Sequence, residues 1–170
     1  MLTTTIKPGP VRLVFTMGWD PFQLLINVST RSTAAHVAIG LGDHLLHAYE
    51  PGITLEPREE YLEKREQKLV AEYNVLPYVD DHVRAALVHI GQRGFWLGVF
   101  QVGFIRALRL CGSPLSHLFS SNERTCARFA MLLDPRGDRI PEWQGIHRHA
   151  VVPADLLVAA EAGPSFERVA

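Results

Sequence analysis

The sequence is poor in cysteine and has no excess of charge of either sign. Its 170 residues include two cysteines, Cys111 and Cys126, and its 17 basic and 18 acidic side chains give a formal net charge of −1. Two such cysteines do not form a disulfide framework, and no C-x-x-C pair indicates a zinc site. The balanced charge argues against a nucleic-acid partner, because nucleic-acid binders normally carry a basic excess or a basic stripe.

Targeting and membrane signals are also missing from the sequence. The first eleven residues, MLTTTIKPGPV, lack the basic region and the apolar region of a secretory signal. The most apolar stretch, residues 94–110, is interrupted by Gln101, Arg106 and Arg109 and is short for a membrane span. No compartment is therefore predicted.

The composition favours one ordinary globular domain over residues 1–170, since 47% of the residues are hydrophobic and 21% are charged. Strand-like runs occupy residues 11–15, 36–41, 44–49, 69–78 and 149–152. Helical patterns begin at Pro21, at Asp80 or Asp81, near Ser120 and at Pro153, and a charged helix is predicted over 57–67. Strands and helices mixed in this order predict an α+β fold, with helices packed on a small antiparallel sheet.

The second and third strand-like runs form a predicted hairpin. Residues 42–43, Gly-Asp, suit a two-residue turn, and with this turn Ala38 faces His47. His36 and His47 then share one face of the sheet as diagonal neighbours, roughly 7–8 Å apart at the backbone. That separation lets two imidazoles contact each other, so that His47 can orient His36.

The helix after residue 120 carries the candidate nucleophile. Ser120 and Glu123 resemble a capping box, which places Cys126 near the helix N-terminus. A thiol in that position is expected to have a lowered pKa. Thiol catalysis also needs a base and a group that orients the base, which His36 and His47 can supply. The plainer alternative is that Cys126 is a small core residue and that the histidines are structural.

Three other groups of polar residues have simpler interpretations. Cys111 follows an apolar stretch and is interpreted as a packing residue. His147 and His149 could form half of a metal site, but no third ligand is near in sequence, and exposure is the simpler reading. Asp80 and Asp81 could be paired carboxylates, and helix capping is the simpler explanation. The sequence therefore predicts neither a metal nor a cofactor.

The order of these segments resembles the circularly permuted papain-like proteins of the NlpC superfamily, in the branch that contains the lecithin:retinol acyltransferase-like enzymes. That branch has a strand beginning His-x-(Gly/Ala)-Ile, a second polar residue on the next strand, and a late cysteine at a helix start. The corresponding segments here are AHVAIGLGD at 35–43, LLHA at 45–48, TCARF at 125–129 and a closing PADL at 153–156. The similarity extends from about Val11 to Leu157, although the nucleophile segment differs from the Asn-Cys-Glu-His pattern usual in acyltransferase-like members.

The resemblance implies a thiol hydrolase or acyltransferase with a Cys126–His36–His47 site. Its substrate would be an amide or ester in a cell-wall peptide or a lipid acyl group. The alternative is a structural or binding protein without turnover, such as a component of a virion or a toxin apparatus. The apolar stretch 94–110 is interpreted either as core or as a wall of the acyl site. A docking surface for a membrane or a protein partner is a further alternative.

Overall fold

In a computed structural model of the protein, six strands form one antiparallel sheet. The structure describes residues 9–19, 21–49, 52–77, 79–92, 125–148 and 150–170, without the side chains of residues 21, 22, 25 and 29. The strands are β1 (Val11–Met17), β2 (His36–Leu41), β3 (His44–Tyr49), β4 (Gly52–Pro57), β5 (Lys68–Val75) and β6 (Phe166–Arg168). Their order in the sheet is β4-β3-β2-β1-β5-β6.

Helices pack on this sheet, which confirms the predicted α+β class. Within the described ranges they are α1 (Pro21–Thr30), α2 (Arg58–Lys64), α3 (Asp80–Leu87), α4 (Cys126–Ala130) and α5 (Pro153–Ala162), with 3₁₀ turns at Met131–Leu133 and Pro141–Trp143. As predicted, α1 begins at Pro21 and α5 at Pro153. Proline suits a first helical position because the N–H that it lacks has no intrahelical acceptor there.

The β2–β3 hairpin has the predicted register. Leu41 pairs with His44 and Ile39 pairs with Leu46, and Gly42 in the turn adopts a φ of 61°, which glycine tolerates without strain. Successive side chains of a strand point to opposite faces of the sheet. His36 is therefore on the same face as Ala38, whereas Val37 is on the other face.

The two faces of the sheet are covered by different helices. The main core lies on the face of Val37 and includes buried side chains from β1, β2, α4 and α5. A smaller cluster on the opposite face joins Val14, Ala38 and Leu45 to Tyr61 of α2. His36 and His47 are in phase with Ala38 and Leu45, so their side chains belong to the face that α2 covers.

Two strands were not predicted, and one predicted strand is wrong. The interval between the hairpin and α2 forms β4, which pairs with β3 along its whole length. Residues 150–152 are not in the sheet; the strand near the C-terminus is β6, where Phe166 pairs with Val75 of β5. Residues 150–152 pair with no strand in the part of the chain that the structure describes, and pairing partners rather than local propensity decide the outcome for such short segments.

The predicted helix caps are also wrong. Ser120 lies outside the described residues, and the N-cap of α4 is Thr125, whose Oγ1 accepts the N–H of Arg128 at 3.3 Å. Cys126 is therefore the first residue of the helix. The N-cap of α3 is Val79, without a side-chain hydrogen bond.

Instead of capping α3, Asp81 pairs with an arginine from a distant loop. Its two carboxylate oxygens accept from the guanidinium of Arg139 at 2.7 and 3.0 Å. Asp81 is therefore engaged in an ion pair with Arg139 and does not cap α3.

The turn at residues 134–137 is built around a buried carboxylate. Asp134 has no exposed surface. Its carboxylate accepts four backbone N–H groups, those of Gly137 at 2.9 Å, Asp138 at 3.2 Å, Arg139 at 3.1 Å and Ile140 at 2.8 Å. This loop directly follows the helical turns that begin at Cys126, so the carboxylate anchors the chain next to the candidate nucleophile.

The apolar stretch 94–110 and Cys111 lie outside the described residues, and the alternatives for them stay predictions. Among the helices that the structure does describe, none has the length and apolar character needed to cross a bilayer.

Candidate active site

The hairpin brings the two predicted histidines into contact. His36 Nε2 lies 3.2 Å from His47 Nδ1, and the rings meet edge to face at an interplanar angle of 89°. Both side chains are buried, with exposed fractions of 2% and 0%. His47 follows Leu46, the last residue of β3 that pairs with β2, so the contact between the two rings joins the strands beyond the backbone ladder.

A carboxylate that was not predicted completes this contact. Glu56 Oε1 lies 2.6 Å from His47 Nε2, and Thr54 Oγ1 lies 3.3 Å from the same nitrogen. Both residues come from β4, in which Thr54 pairs with His47. The alternation of apolar Ile53 and Leu55 with polar Thr54 and Glu56 is the sequence signal that could have indicated this strand and its polar face.

The end of α2 places a guanidinium beside Glu56. Arg65 Nη2 lies 3.4 Å from Glu56 Oε1, and the guanidinium carbon lies 4.3 Å above the centre of the Tyr49 ring. Glu66 adopts a left-handed φ of 48°, and the N–H of Gln67 bonds back to the carbonyl of Leu62 at 2.9 Å. This closing turn fixes the direction in which Arg65 leaves the helix.

Two tyrosines enclose the histidine pair. The His36 ring lies 5.4 Å from the ring of Tyr49 and 6.0 Å from that of Tyr61. The Tyr61 ring also packs edge-on against His47 at 4.8 Å. Ring contacts on several sides restrict both imidazoles to one orientation.

Tyr61 is itself held by a buried polar cluster. Its hydroxyl lies 3.0 Å from Thr16 Oγ1, which donates to Gln67 Oε1 at 3.1 Å. A side chain at Gly18 would collide with the Gln67 amide. Because Gly18 has no side chain, the Gln67 amide can occupy this space. The amide oxygen then holds Thr16, which holds the Tyr61 hydroxyl.

Burial controls the charge of the two histidines. It lowers the pKa of His36 well below its ordinary value, and the nearby positive charge of His47 or Arg65 lowers it further. Burial also lowers the pKa of His47, although the hydrogen bond to Glu56 acts in the opposite direction. The hydrogen bond from His47 lowers the pKa of Glu56. At neutral pH, two neutral imidazoles therefore adjoin a charged carboxylate.

The candidate nucleophile is buried in the main core, the cluster on the face of Val37. Cys126 is 4% exposed, and the backbone N–H groups of Val37, Ala127 and Cys126 itself act on its sulfur. Burial outweighs these donors and raises the pKa of the thiol to about 11. The prediction of a lowered pKa is therefore wrong, because α4 has five residues and desolvation is the larger effect.

The structure brings the thiol near the backbone of the residue after His36 but does not join the two side chains. The N–H of Val37 acts to lower the pKa of the thiol, and the thiol contributes, after burial itself, to a raised pKa of the Tyr61 hydroxyl. Among the described side chains, His47 is the hydrogen-bond partner of the His36 ring, and no such bond links His36 to Cys126. Because Nε2 of His36 is engaged by His47, Nδ1 is the nitrogen left for a thiol.

A neutral resting thiol has a measurable signature. We expect the rate of Cys126 alkylation by iodoacetamide to rise about tenfold per pH unit from about pH 7 to about pH 9, since only the thiolate reacts and its fraction grows up to the pKa. Peptide mass spectrometry of quenched samples measures this rate, with denatured protein as the control for reagent reactivity. A rate independent of pH over that range would show a resting thiolate and contradict the neutral state.

Comparison with other proteins adds no further assignment. No family model, curated protein or solved structure matches the chain. In the part of the chain that the structure describes, no three metal-binding side chains cluster together.

Proposed function

We propose that the protein is a thiol-dependent hydrolase or acyltransferase acting on an amide or ester. Cys126 is the nucleophile, His36 is its base and His47 orients the base. The observation that carries the proposal is the contact series His36–His47–Glu56, which begins at the residue before Val37, whose N–H acts on the thiol. Removing the two imidazoles from water is costly, and apolar residues could fill the same space at a lower cost. Perturbed groups arranged in this way are typical of functional sites.

The proposed reaction begins with a neutral thiol and a neutral imidazole. As the Cys126 sulfur attacks the substrate carbonyl carbon, its proton moves to Nδ1 of His36. The tetrahedral intermediate collapses when His36 returns this proton to the leaving amine or alkoxide, which leaves a thioester on Cys126. Water or another acceptor then attacks the thioester and gives its proton to His36, which returns it to the departing sulfur.

This sequence of events requires a movement before the first step. Because the surrounding rings hold His36 in one orientation, the Cys126 side chain must move into hydrogen-bond contact with it when substrate binds, as catalytic contacts often form only in the complex. The N–H of Cys126 is at the start of α4, where helical N–H groups lack intrahelical acceptors. It can therefore donate to the negative oxygen of the intermediate.

The element order supports a permuted papain-like fold, which we propose together with the activity. β2, which carries the proposed base, comes early in the chain, and α4, which carries the proposed nucleophile, comes late. α4 packs against β2 and β3. The substrates that the resemblance implies are cell-wall peptides or lipid acyl groups.

One observation favours a second candidate, a structural or binding protein that keeps this fold without turnover. The thiol is buried and protonated and has no hydrogen bond to His36. A protein of this kind would retain the His36–His47–Glu56 contacts for packing specificity alone.

Trapping the acyl-enzyme distinguishes the two candidates. The protein is incubated with p-nitrophenyl esters of a short and a long fatty acid, and its intact mass and peptides are then measured. We expect one added acyl group on the peptide that contains Cys126, removable by neutral hydroxylamine as a thioester. A preference for the long chain would favour a lipid substrate. If neither ester acylates Cys126, the non-catalytic candidate is favoured.

A further inference from the structure

We infer that Glu56 is a positioning residue that fixes which nitrogen of His36 acts as the base, and that Arg65 holds Glu56 in that role. The inference rests on the proposed function. It adds that Glu56 determines which nitrogen of His36 accepts the proton of the thiol. Its basis is the contact series Arg65–Glu56–His47–His36, which spans β4, β3, β2 and the end of α2.

The first step is the contact between Glu56 and His47. An ionised carboxylate only accepts hydrogen bonds, so the 2.6 Å contact requires the proton of His47 to be on Nε2. A contact this short is typical of a hydrogen bond to a charged acceptor.

The second step follows from the neutrality of His47. With its proton on Nε2, a neutral His47 has a lone pair on Nδ1. At 3.2 Å, that lone pair needs a donor, and the facing atom is His36 Nε2. His36 must then carry its proton on Nε2, which leaves Nδ1 as the lone pair that can take the proton of Cys126.

The opposite arrangement shows why the carboxylate is needed. If His47 Nδ1 donated to His36 Nε2, His36 would carry its proton on Nδ1 and could not accept one from a thiol. The Thr54 hydroxyl, 3.3 Å from His47 Nε2, can donate or accept and therefore permits both arrangements. Among the described partners of His47, only Glu56 excludes the arrangement in which His36 carries its proton on Nδ1.

Arg65 acts on the carboxylate from the outside. Its guanidinium contacts Glu56 at 3.4 Å, and both side chains are partly exposed, at 24% and 17%. The positive charges of Arg65 and of Lys64, the last residue of α2, favour the ionised form of Glu56. The stacking on Tyr49 keeps the guanidinium in place.

The experiment is NMR of nitrogen-labelled histidine side chains, which distinguishes the two neutral tautomers. In the unmodified protein at neutral pH, we expect both His36 and His47 to carry the proton on Nε2. In Glu56→Gln, the amide can accept or donate, so we expect both rings to become tautomer mixtures. The rate of Cys126 acylation should then fall about 10- to 100-fold, as for the loss of other orienting partners. Glu63→Gln, an exposed carboxylate on α2, is the matched control and should change neither measurement.

The results separate this inference from the proposed function. A proton on Nδ1 of His36 in the unmodified protein overturns the inference without any variant, as do unchanged tautomers in Glu56→Gln. If the tautomers behave as expected while neither protein acylates Cys126, the positioning by Glu56 is supported and the proposed activity is wrong. Arg65→Gln retains the carboxylate but removes the group that holds it, so we expect a partial loss of the Nε2 tautomers; unchanged tautomers would contradict the role given to Arg65.

Discussion

Replacing Cys126 by alanine is expected to abolish acyl transfer while leaving the fold intact. The thioester cannot form without the sulfur, and loss of a nucleophile of this kind lowers turnover by about 1000-fold or more. The substitution removes a single buried atom, so unfolding free energy should fall by only about 1 kcal/mol. Release of p-nitrophenol measures the activity, and urea titration of the circular dichroism signal measures the stability.

His36→Gln should have an effect of similar size, and the double variant should be no worse than either single one. Groups that act as one unit are strongly non-additive. Cys111→Ala is the control, since Cys111 was interpreted as a packing residue. Activity that survives in Cys126→Ala but is lost in Cys111→Ala would assign the reaction to the other thiol.

The second large effect is expected on stability, from Asp134→Ala. Four backbone N–H groups lose their acceptor, and those of Gly137 and Ile140 are buried. Each unsatisfied donor costs about 1–3 kcal/mol, and their sum is a large part of a net stability of about 5–15 kcal/mol. We expect the variant to be largely unfolded at a temperature where the unmodified protein is folded, as measured by thermal denaturation. Asp80→Asn, at an exposed carboxylate, is the control and should change the midpoint little.

The same carboxylate should make stability fall in acid. Burial raises the pKa of Asp134, but the N–H groups of Ile140, Arg139 and Gly137 outweigh burial and leave the pKa below its ordinary value. A group whose pKa is lower in the folded state stabilises the protein above its unfolded pKa, about 3.9, and this contribution is lost as the pH falls below that value. In Asp134→Asn this part of the acid dependence should disappear. An identical acid dependence in the two proteins would contradict the role given to Asp134.

The histidine hairpin could be predicted because all its determinants are local. A Gly-Asp turn and two strand-like runs fix the register, and the register alone puts His36 and His47 on one face. The start of α1 at Pro21 and that of α5 at Pro153 were predictable for the same reason, since helix starts depend on neighbouring residues.

The other parts of the site depend on distant parts of the chain. Glu56 was missed because a Pro-Gly pair precedes its short alternating segment and a proline ends it, and both indicate turns. The pairing with β3 makes this segment a strand. The thiol pKa was predicted in the wrong direction because the helix start is local, whereas desolvation of Cys126 depends on the whole core. β6 pairs with β5 from the other end of the sequence, and no local pattern encodes that contact.

The position of β4 in the sheet order has a consequence for how the protein would lose function. β4 is the outermost strand on its side, next to β3, and Ile53 is tied on the other side to Gly91 and Gln92. Elements at a sheet margin open with less free energy than central strands. Transient detachment of this strand would withdraw Glu56 from His47 while β1, β2 and the main core stay folded. Mild heating or denaturant would then inactivate the protein reversibly, at conditions where hydrogen exchange still reports an intact central sheet.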